Sequence, residues 1–370
     1  MRIGFYNPRV GFARSGGTET FIRQIAKQLQ SDHEIVFYCG EGEIIEEVLN
    51  LDVRIEQIPL ISKESATNRA ITGATPVIPA EVESLTMFRN ARRRGIFEEM
   101  DKQVDIVSTH YYLDNILVSR VSPVPMVFRF PGIKQPSVRW KAMARLGHPN
   151  AYLANSRATA SRVKKWLDIQ VQDVVYPGVD LTMFSPSADP VFDEELVAVL
   201  YVGRLDEGKG LFELLNAQAR LGDRTRLYLV GDGTLADDLQ AAVRDLDIED
   251  NVVFTGAVDH GEVAHYYTAA DVFCLPSHHE SFGMVNIEAM ACGTPVVSTR
   301  IDAIEEYLVD GKNGLLVPPG DVDGLAAALR RLADDASLRE RLGRNARETA
   351  SQFSWDAQTA RLEEIYERLD

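Results

Sequence analysis

Short apolar and β-branched runs recur along the chain at 3–6, 34–38, 53–58, 105–108, 126–130, 152–154 and 174–176. A second series follows at 197–202, 227–230, 252–254, 272–275, 295–298 and 315–317. Runs of this length between turn residues predict strands buried on both faces. Many intervening stretches carry apolar residues at helical spacing, among them 18–30, 156–167, 211–220, 235–247 and 283–291. Strand and helix in alternation predict parallel sheets with helices on both sides. Two series predict an α/β protein with two Rossmann-like domains facing across a cleft.

The break between them falls at Tyr176-Pro177-Gly178-Val179-Asp180, followed by the helix-poor stretch 184–190. Pro and Gly stop regular structure there. On this reading 1–180 form an N-terminal Rossmann-like domain and 181–350 a C-terminal one, while 351–370 pack back toward the first. In that last segment Ala357, Leu362, Ile365, Tyr366 and Leu369 recur at helical spacing, which predicts an amphipathic helix. Segment 67–82 has turn chemistry and little periodicity, which predicts a mobile loop or lid.

Composition narrows the class. A chain of 370 residues exceeds what one core holds, and 45% hydrophobic with 25% charged residues fits a globular protein. No apolar run approaches the roughly 20 residues that span a bilayer. The first six residues enter a strand-like run rather than a signal peptide, so a cytoplasmic protein is expected. Cys39, Cys274 and Cys292 fit neither a disulfide framework nor metal-ligand spacing and are expected to be buried thiols.

The net charge of −16 is uneven: residues 1–180 hold 23 basic and 20 acidic side chains, so the deficit lies in the second half. An acidic half repels nucleic acid, which excludes that class of partner. The first half carries basic clusters at Arg92-Arg93-Arg94, at Lys134, Arg139, Lys141 and Arg145, and at Arg162, Lys164 and Lys165. These serve either as a solvated face or as a surface meeting anionic lipid, at the inner membrane face, or an anionic acceptor.

Three stretches carry chemistry. The first runs from Glu280 through Ser281, Phe282, Gly283, Met284 and Val285 to Glu288, after an apolar strand. Glu280 is expected in the loop ahead of a helix and Glu288 in its second turn, with amides at Phe282, Gly283 and Met284 pointing at an anion. A phosphate held there has a carboxylate on each side, one for a sugar and one for a ribose. The second stretch, Gly203-Arg204-Leu205-Asp206-Glu207-Gly208-Lys209-Gly210, ends a strand and sets two cations at a sheet's carboxyl edge, where open α/β folds bind ligands. Arg204 offers a planar fork and Lys209 a point charge, both suited to a diphosphate. The third, Ser15-Gly16-Gly17-Thr18-Glu19, opens a helix whose dipole favours negative charge. Neither it nor Gly231-Asp232-Gly233 has the G-x-G-x-x-G spacing of a dinucleotide site, which excludes a NAD-dependent dehydrogenase.

The ordered set of Gly16-Gly17, a strand ending at His110, Asn155-Ser156, Pro177-Gly178-Val179-Asp180, Arg204/Lys209, Gly231-Asp232-Gly233 and Glu280/Glu288 resembles the retaining glycosyltransferases of family 4, which have the GT-B fold. The resemblance runs along the whole chain, and it implies that 1–180 is the acceptor-side domain and 181–350 the nucleotide-sugar-binding one. It implies that Arg204 and Lys209 neutralise the donor diphosphate in place of a metal, so no cofactor is expected. It further implies that Glu280 holds the donor sugar, Glu288 the ribose, and His110 faces the donor sugar. Amides at Gly17, Phe282, Gly283 and Met284 would stabilise the leaving phosphate. Gly16, Gly203, Ser281 and Val285 complete the expected donor site, with Val258 near the nucleobase. His278 and His279 lack a third ligand at sensible spacing, so no metal is expected.

The implied reaction is retaining transfer of a hexose-type sugar from a nucleotide-diphosphate sugar, UDP first and GDP second, to a saccharide or lipid-linked acceptor. The leaving phosphate itself would take the acceptor proton, with His110 as an alternative helper. Two rival readings are an epimerase of the same architecture, drawing on Glu19 and His110, and a non-catalytic nucleotide-sugar-binding subunit.

Overall fold

The computed structural model describes residues 1–13, 16–74, 78–133, 135–192 and 195–370. Ser15 and Lys134, named above, lie outside the described residues, as does the Arg139 side chain. The chain divides into two compact units, Met1–Pro177 with Trp355–Asp370, and Gly178–Ser354.

In the first unit, the described residues form a seven-stranded parallel sheet, in the order β3-β2-β1-β4-β5-β6-β7. The strands are β1 Arg2–Tyr6, β2 Glu34–Gly40, β3 Val53–Ile58, β4 Ile106–Thr109, β5 Met126–Phe130, β6 Ala151–Ala154 and β7 Asp173–Val174. The two-residue period of a strand sorts their side chains onto two faces. Ile3, Phe5, Phe37 and Ile106 pack on one face with Phe21, Ile22 and Ile25 of the helix Gly17–Leu29. Tyr6, Val36, Tyr38 and Val107 pack on the other. Both faces are therefore covered, as a parallel sheet requires.

The helix Trp355–Glu367 joins the first core through Trp355, Leu362, Ile365 and Tyr366. Arg361 and Arg368 also reach Asp173 on β7, but both are substantially exposed. Burying each large side chain contributes about 2 kcal/mol, whereas exposed ion pairs give under about 1 kcal/mol. Burial holds this helix.

In the second unit, the described residues form a six-stranded parallel sheet, in the order β10-β9-β8-β11-β12-β13. Its strands are β8 Val197–Val202, β9 Thr225–Val230, β10 Val252–Gly256, β11 Val272–Leu275, β12 Val296–Thr299 and β13 Leu315–Val317. Both sheets are thus Rossmann-like. Cys39, Cys274 and Cys292 are buried and unpaired.

One expectation fails. Segment 67–82 is largely helical where it is described: the helix Ala66–Ala74 covers its start and the helix Pro79–Arg93 its end, while 75–77 lie outside the described residues. Pro79 stands in the first turn, where a missing N–H costs nothing, and Glu81 caps the Ile78 amide at 3.0 Å. Burial of Val82, Met87 and Ala91 beneath the second helix supplied an apolar stripe that short-range turn signals masked.

Candidate functional site

At the carboxyl edge of the second sheet, backbone bonds lace neighbouring loops together. Gly203 donates to the Val230 carbonyl at 3.0 Å, Gly231 to Gly256 at 2.8 Å, and Leu205 to Asp232 at 2.9 Å. Asp206 accepts from both the amide and the hydroxyl of Thr234, each at 3.1 Å. Loop 203–210 is thereby fixed, and it leans on the loop after β11. Gly210 has φ +69, and a Cβ there would come within 2.1 Å of the Pro276 carbonyl oxygen. The His278 amide donates to the Gly208 carbonyl at 2.8 Å. This approach joins two of the expected residues: Lys209 Nζ lies 2.7 Å from Glu280 Oε1. Both side chains are largely withdrawn from solvent.

Arg204 behaves differently. Its side chain is 78% exposed and pairs with Asp206 at 2.6 Å. Beneath them Tyr201 donates to the Arg204 carbonyl at 2.8 Å. Burial pushes the Tyr201 phenol upward, Glu280 and Asp206 add to that, and Arg204 opposes it. Glu280, Asp206 and Arg204 thus lie around one buried tyrosine, and Lys209 is tied to Glu280.

The helix Met284–Ala291 begins after Gly283, which is left-handed at φ +87, ψ 56. The Tyr307 hydroxyl lies 2.9 Å from the Phe282 carbonyl and 3.3 Å from that of Gly283, and accepts from Asn286 Nδ2 at 2.9 Å. The Phe282 ring is buried against Tyr307 and Phe353. Ser281, Met284 and Val285 are half-buried. The Asn286 amide already donates to the Gly283 carbonyl at 3.0 Å, and the helix dipole at this terminus favours an anion. Ser298 donates to the Leu275 carbonyl at 2.7 Å and Thr299 to that of Ser277, steadying the same loop from β12. Tyr307, Ser298 and Thr299 escaped sequence reasoning because their partners lie far along the chain.

Glu288 is buried and accepts from the Tyr267 hydroxyl at 2.9 Å. Burial pushes its carboxyl upward, while His260 and the Tyr267 bond draw it back. Val258 is half-buried in the loop after β10.

Gly16, Gly17 and His110 belong to the first unit. Gly16 donates to Glu19 Oε2 at 2.7 Å, and a Cβ on Gly17 would meet nothing within 4 Å. Glu19 is buried and already receives the Tyr111 hydroxyl at 2.8 Å and Asn7 Nδ2 at 3.4 Å. His110 is 1% exposed, and neither ring nitrogen has a partner among the described residues. Burial, and then the Arg129 charge, push its pKa down to about 3, so it stays neutral. His278 is taken up by Glu213 at 2.9 Å. Among the described residues, no three His, Cys, Asp or Glu side chains gather as a metal site requires.

Residues 187–349 match the family model described as glycosyl transferases group 1, and residues 15–183 match glycosyltransferase family 4. A D-inositol 3-phosphate glycosyltransferase from Xylanimonas cellulosilytica is 31% identical over 297 residues, 71% of each chain. The one from Thermobifida fusca is 28% identical over 391 residues, 94% of this chain and 87% of that one. Against the Corynebacterium kroppenstedtii relative, 36% identical over 214 residues, the chain spans about half the relative's length. Among solved structures, sucrose-phosphate synthase from Thermosynechococcus elongatus superposes with a TM-score of 0.80 at 23% identity, over 100% of this chain and 98% of that one. Anabaena HepE in complex with UDP gives 0.78 at 20% identity, over 100% of both.

Proposed function

This chain belongs to glycosyltransferase family 4 and has the GT-B fold, and on that premise we propose that it moves a hexose-type sugar from a nucleoside diphosphate to an acceptor hydroxyl with retention. The Lys209–Glu280 pair carries this reading, because it stands beside the N-terminus of the helix Met284–Ala291. Glu280 grips sugar hydroxyls while Lys209 and the helix amides meet the diphosphate. Arg204, exposed and held by Asp206, supplies a second cation at the same edge. Glu288, steadied by Tyr267, takes the ribose hydroxyls. UDP is the first choice, since HepE, similar in fold, is seen with UDP and with UDP-glucose; GDP is the second.

In the reaction the bond from the anomeric carbon to the phosphate oxygen breaks. A bond to the acceptor oxygen forms on the same face, and the acceptor proton passes to the leaving phosphate. Negative charge grows on that phosphate, where fixed cations and amides act most strongly. A pKa of about 3 makes His110 a poor base near neutral pH, so it orients rather than removes a proton. The epimerase reading loses Glu19, which three donors already occupy.

The family resemblance favours a saccharide or a lipid-linked alcohol as acceptor. The exposed Arg92 and Arg93 on the helix Pro79–Arg93, with Leu85 exposed nearby, favour contact with an anionic membrane. Arg145 and Lys164 contribute less, being engaged by the Leu167 carbonyl and by Asp168.

A melting panel with UDP-, GDP-, ADP- and dTDP-sugars tests the donor site. A ligand of the native state must raise the melting temperature; a flat response across all four would remove the reading.

A further inference from the structure

A cavity of about 200 Å³ opens in the first unit beside His110. Its walls are mainly apolar: Ile78, Leu113, Pro131, Tyr112 and Trp140. Trp140 packs edge-on against Tyr112 at 5.6 Å, and Tyr112 against Phe130 at 5.7 Å, which makes the back wall rigid. Polar groups on the lining are mostly spent. The Tyr111 hydroxyl donates to Glu19, the Tyr112 hydroxyl to the Gly132 carbonyl at 2.8 Å, and Glu81 receives the Ile78 amide. His110 and Ser84 are the exceptions: both His110 ring nitrogens and the Ser84 hydroxyl are unpartnered among the described residues. Thr18, next to the open Gly17 position, borders the same space.

We propose that this cavity seats the acceptor, and that the acceptor is an alcohol whose hydroxyl is carried on one apolar ring. This rests on the transferase reading above and names its substrate class. An apolar cavity of about 150 Å³ already takes a benzene ring, so the volume here suits a single six-membered ring with a small substituent. The ring fills the space between Trp140, Leu113 and Pro131, and its hydroxyl meets the neutral His110 imidazole. A cyclitol phosphate, the acceptor in the relatives' name, fits these walls poorly. Its many hydroxyls would outnumber the His110 and Ser84 groups that could partner them, and among the described residues no Lys or Arg lines the cavity to meet a phosphate.

The test uses the full chain with UDP-glucose, UDP-N-acetylglucosamine and GDP-mannose as donors. Acceptors are phenol, benzyl alcohol and cyclohexanol, set against glucose, myo-inositol and D-inositol 3-phosphate. The expected result is a kcat/KM for a ring alcohol at least about tenfold above every polyol. Ala80→Phe, which fills the cavity from its rim, should raise KM for that alcohol about tenfold or more. UDP binding by calorimetry and slow hydrolysis of the donor should be unchanged. Ile78→Asp, at a position 53% exposed, gives the same KM effect without core disturbance should Ala80→Phe unfold. Preference for D-inositol 3-phosphate or another polyol, or an unchanged KM in both variants, overturns the apolar acceptor and leaves the transferase reading intact. No consumption of any donor, with no UDP bound, overturns both.

Discussion

Lys209 Nζ sits 2.7 Å from Glu280 Oε1, although 71 positions separate them in the chain. The contact exists because Gly210 lets its loop lie against the Pro276 carbonyl, where any Cβ would collide. On the proposed reading this contact fixes a cation near the start of the helix Met284–Ala291, the kind of preorganisation that a departing phosphate would reward. Lys209→Ala should lower kcat by about 10²-fold, the scale of one lost contact to developing charge. Its melting temperature should fall modestly, since Glu280 loses one partner while both side chains keep some access to water. Steady-state kinetics beside a melting curve separates the two effects; near-normal turnover would remove Lys209 from the chemistry.

The exposed arginines of the helix Pro79–Arg93 make a second, independent prediction. Arg92→Glu with Arg93→Glu should abolish sedimentation with vesicles containing phosphatidylglycerol. Wild-type binding should fall as salt rises, because each basic residue near the surface contributes about 1 kcal/mol that screening removes. Binding that ignores both salt and charge reversal would exclude an electrostatic contact.

Asp114 carries a stability prediction with a definite sign. It is fully buried, and burial pushes its carboxyl up to about 8. An unfolded aspartate releases its proton near pH 4. Between about pH 4 and 8 the folded chain keeps a proton that the unfolded chain has lost, so stability declines as pH rises through that window. The slope approaches about 1.4 kcal/mol per pH unit. Asp114→Asn should match the wild type near pH 4 and gain on it steadily toward pH 8, as read from melting temperature against pH. Parallel curves would show that Asp114 does not hold its proton.

The strand series was legible because buried parallel strands leave continuous apolar runs, as in Phe5 on β1 and Leu200 on β8, both fully buried. The candidate site was legible where its residues stand close together in the chain, as at Glu280–Glu288 and Arg204–Lys209. Supports contributed from distant strands left no such trace: Tyr307, Tyr267 and Ser298 reach the site through the fold, and each reads locally as an ordinary core residue. The helix Ala66–Ala74 was missed for another reason. Asn68 within it is buried and donates to the Ile61 and Pro79 carbonyls, so a polar side chain there does the work usually given to an apolar one.

On the proposed reading, Glu288 and Tyr267 would link donor binding to pH. A carboxylate can accept two ribose hydroxyls, whereas a protonated carboxyl gives up part of that capacity to its own O–H. Burial already raises the Glu288 carboxyl, and the Tyr267 hydroxyl at 2.9 Å lowers it again by stabilising the charged form. Donor KM should therefore climb as pH falls through the Glu288 titration. Tyr267→Phe removes the stabilising bond, so the same climb should begin at a higher pH. Glu288→Gln should have a weak donor KM at every pH, with the slope gone and kcat reduced far less than in Lys209→Ala. Donor KM measured across pH for the three proteins checks the sequence of effects. A Tyr267→Phe profile that overlays the wild type, or a Glu288→Gln enzyme with unaltered donor KM, would place the ribose elsewhere.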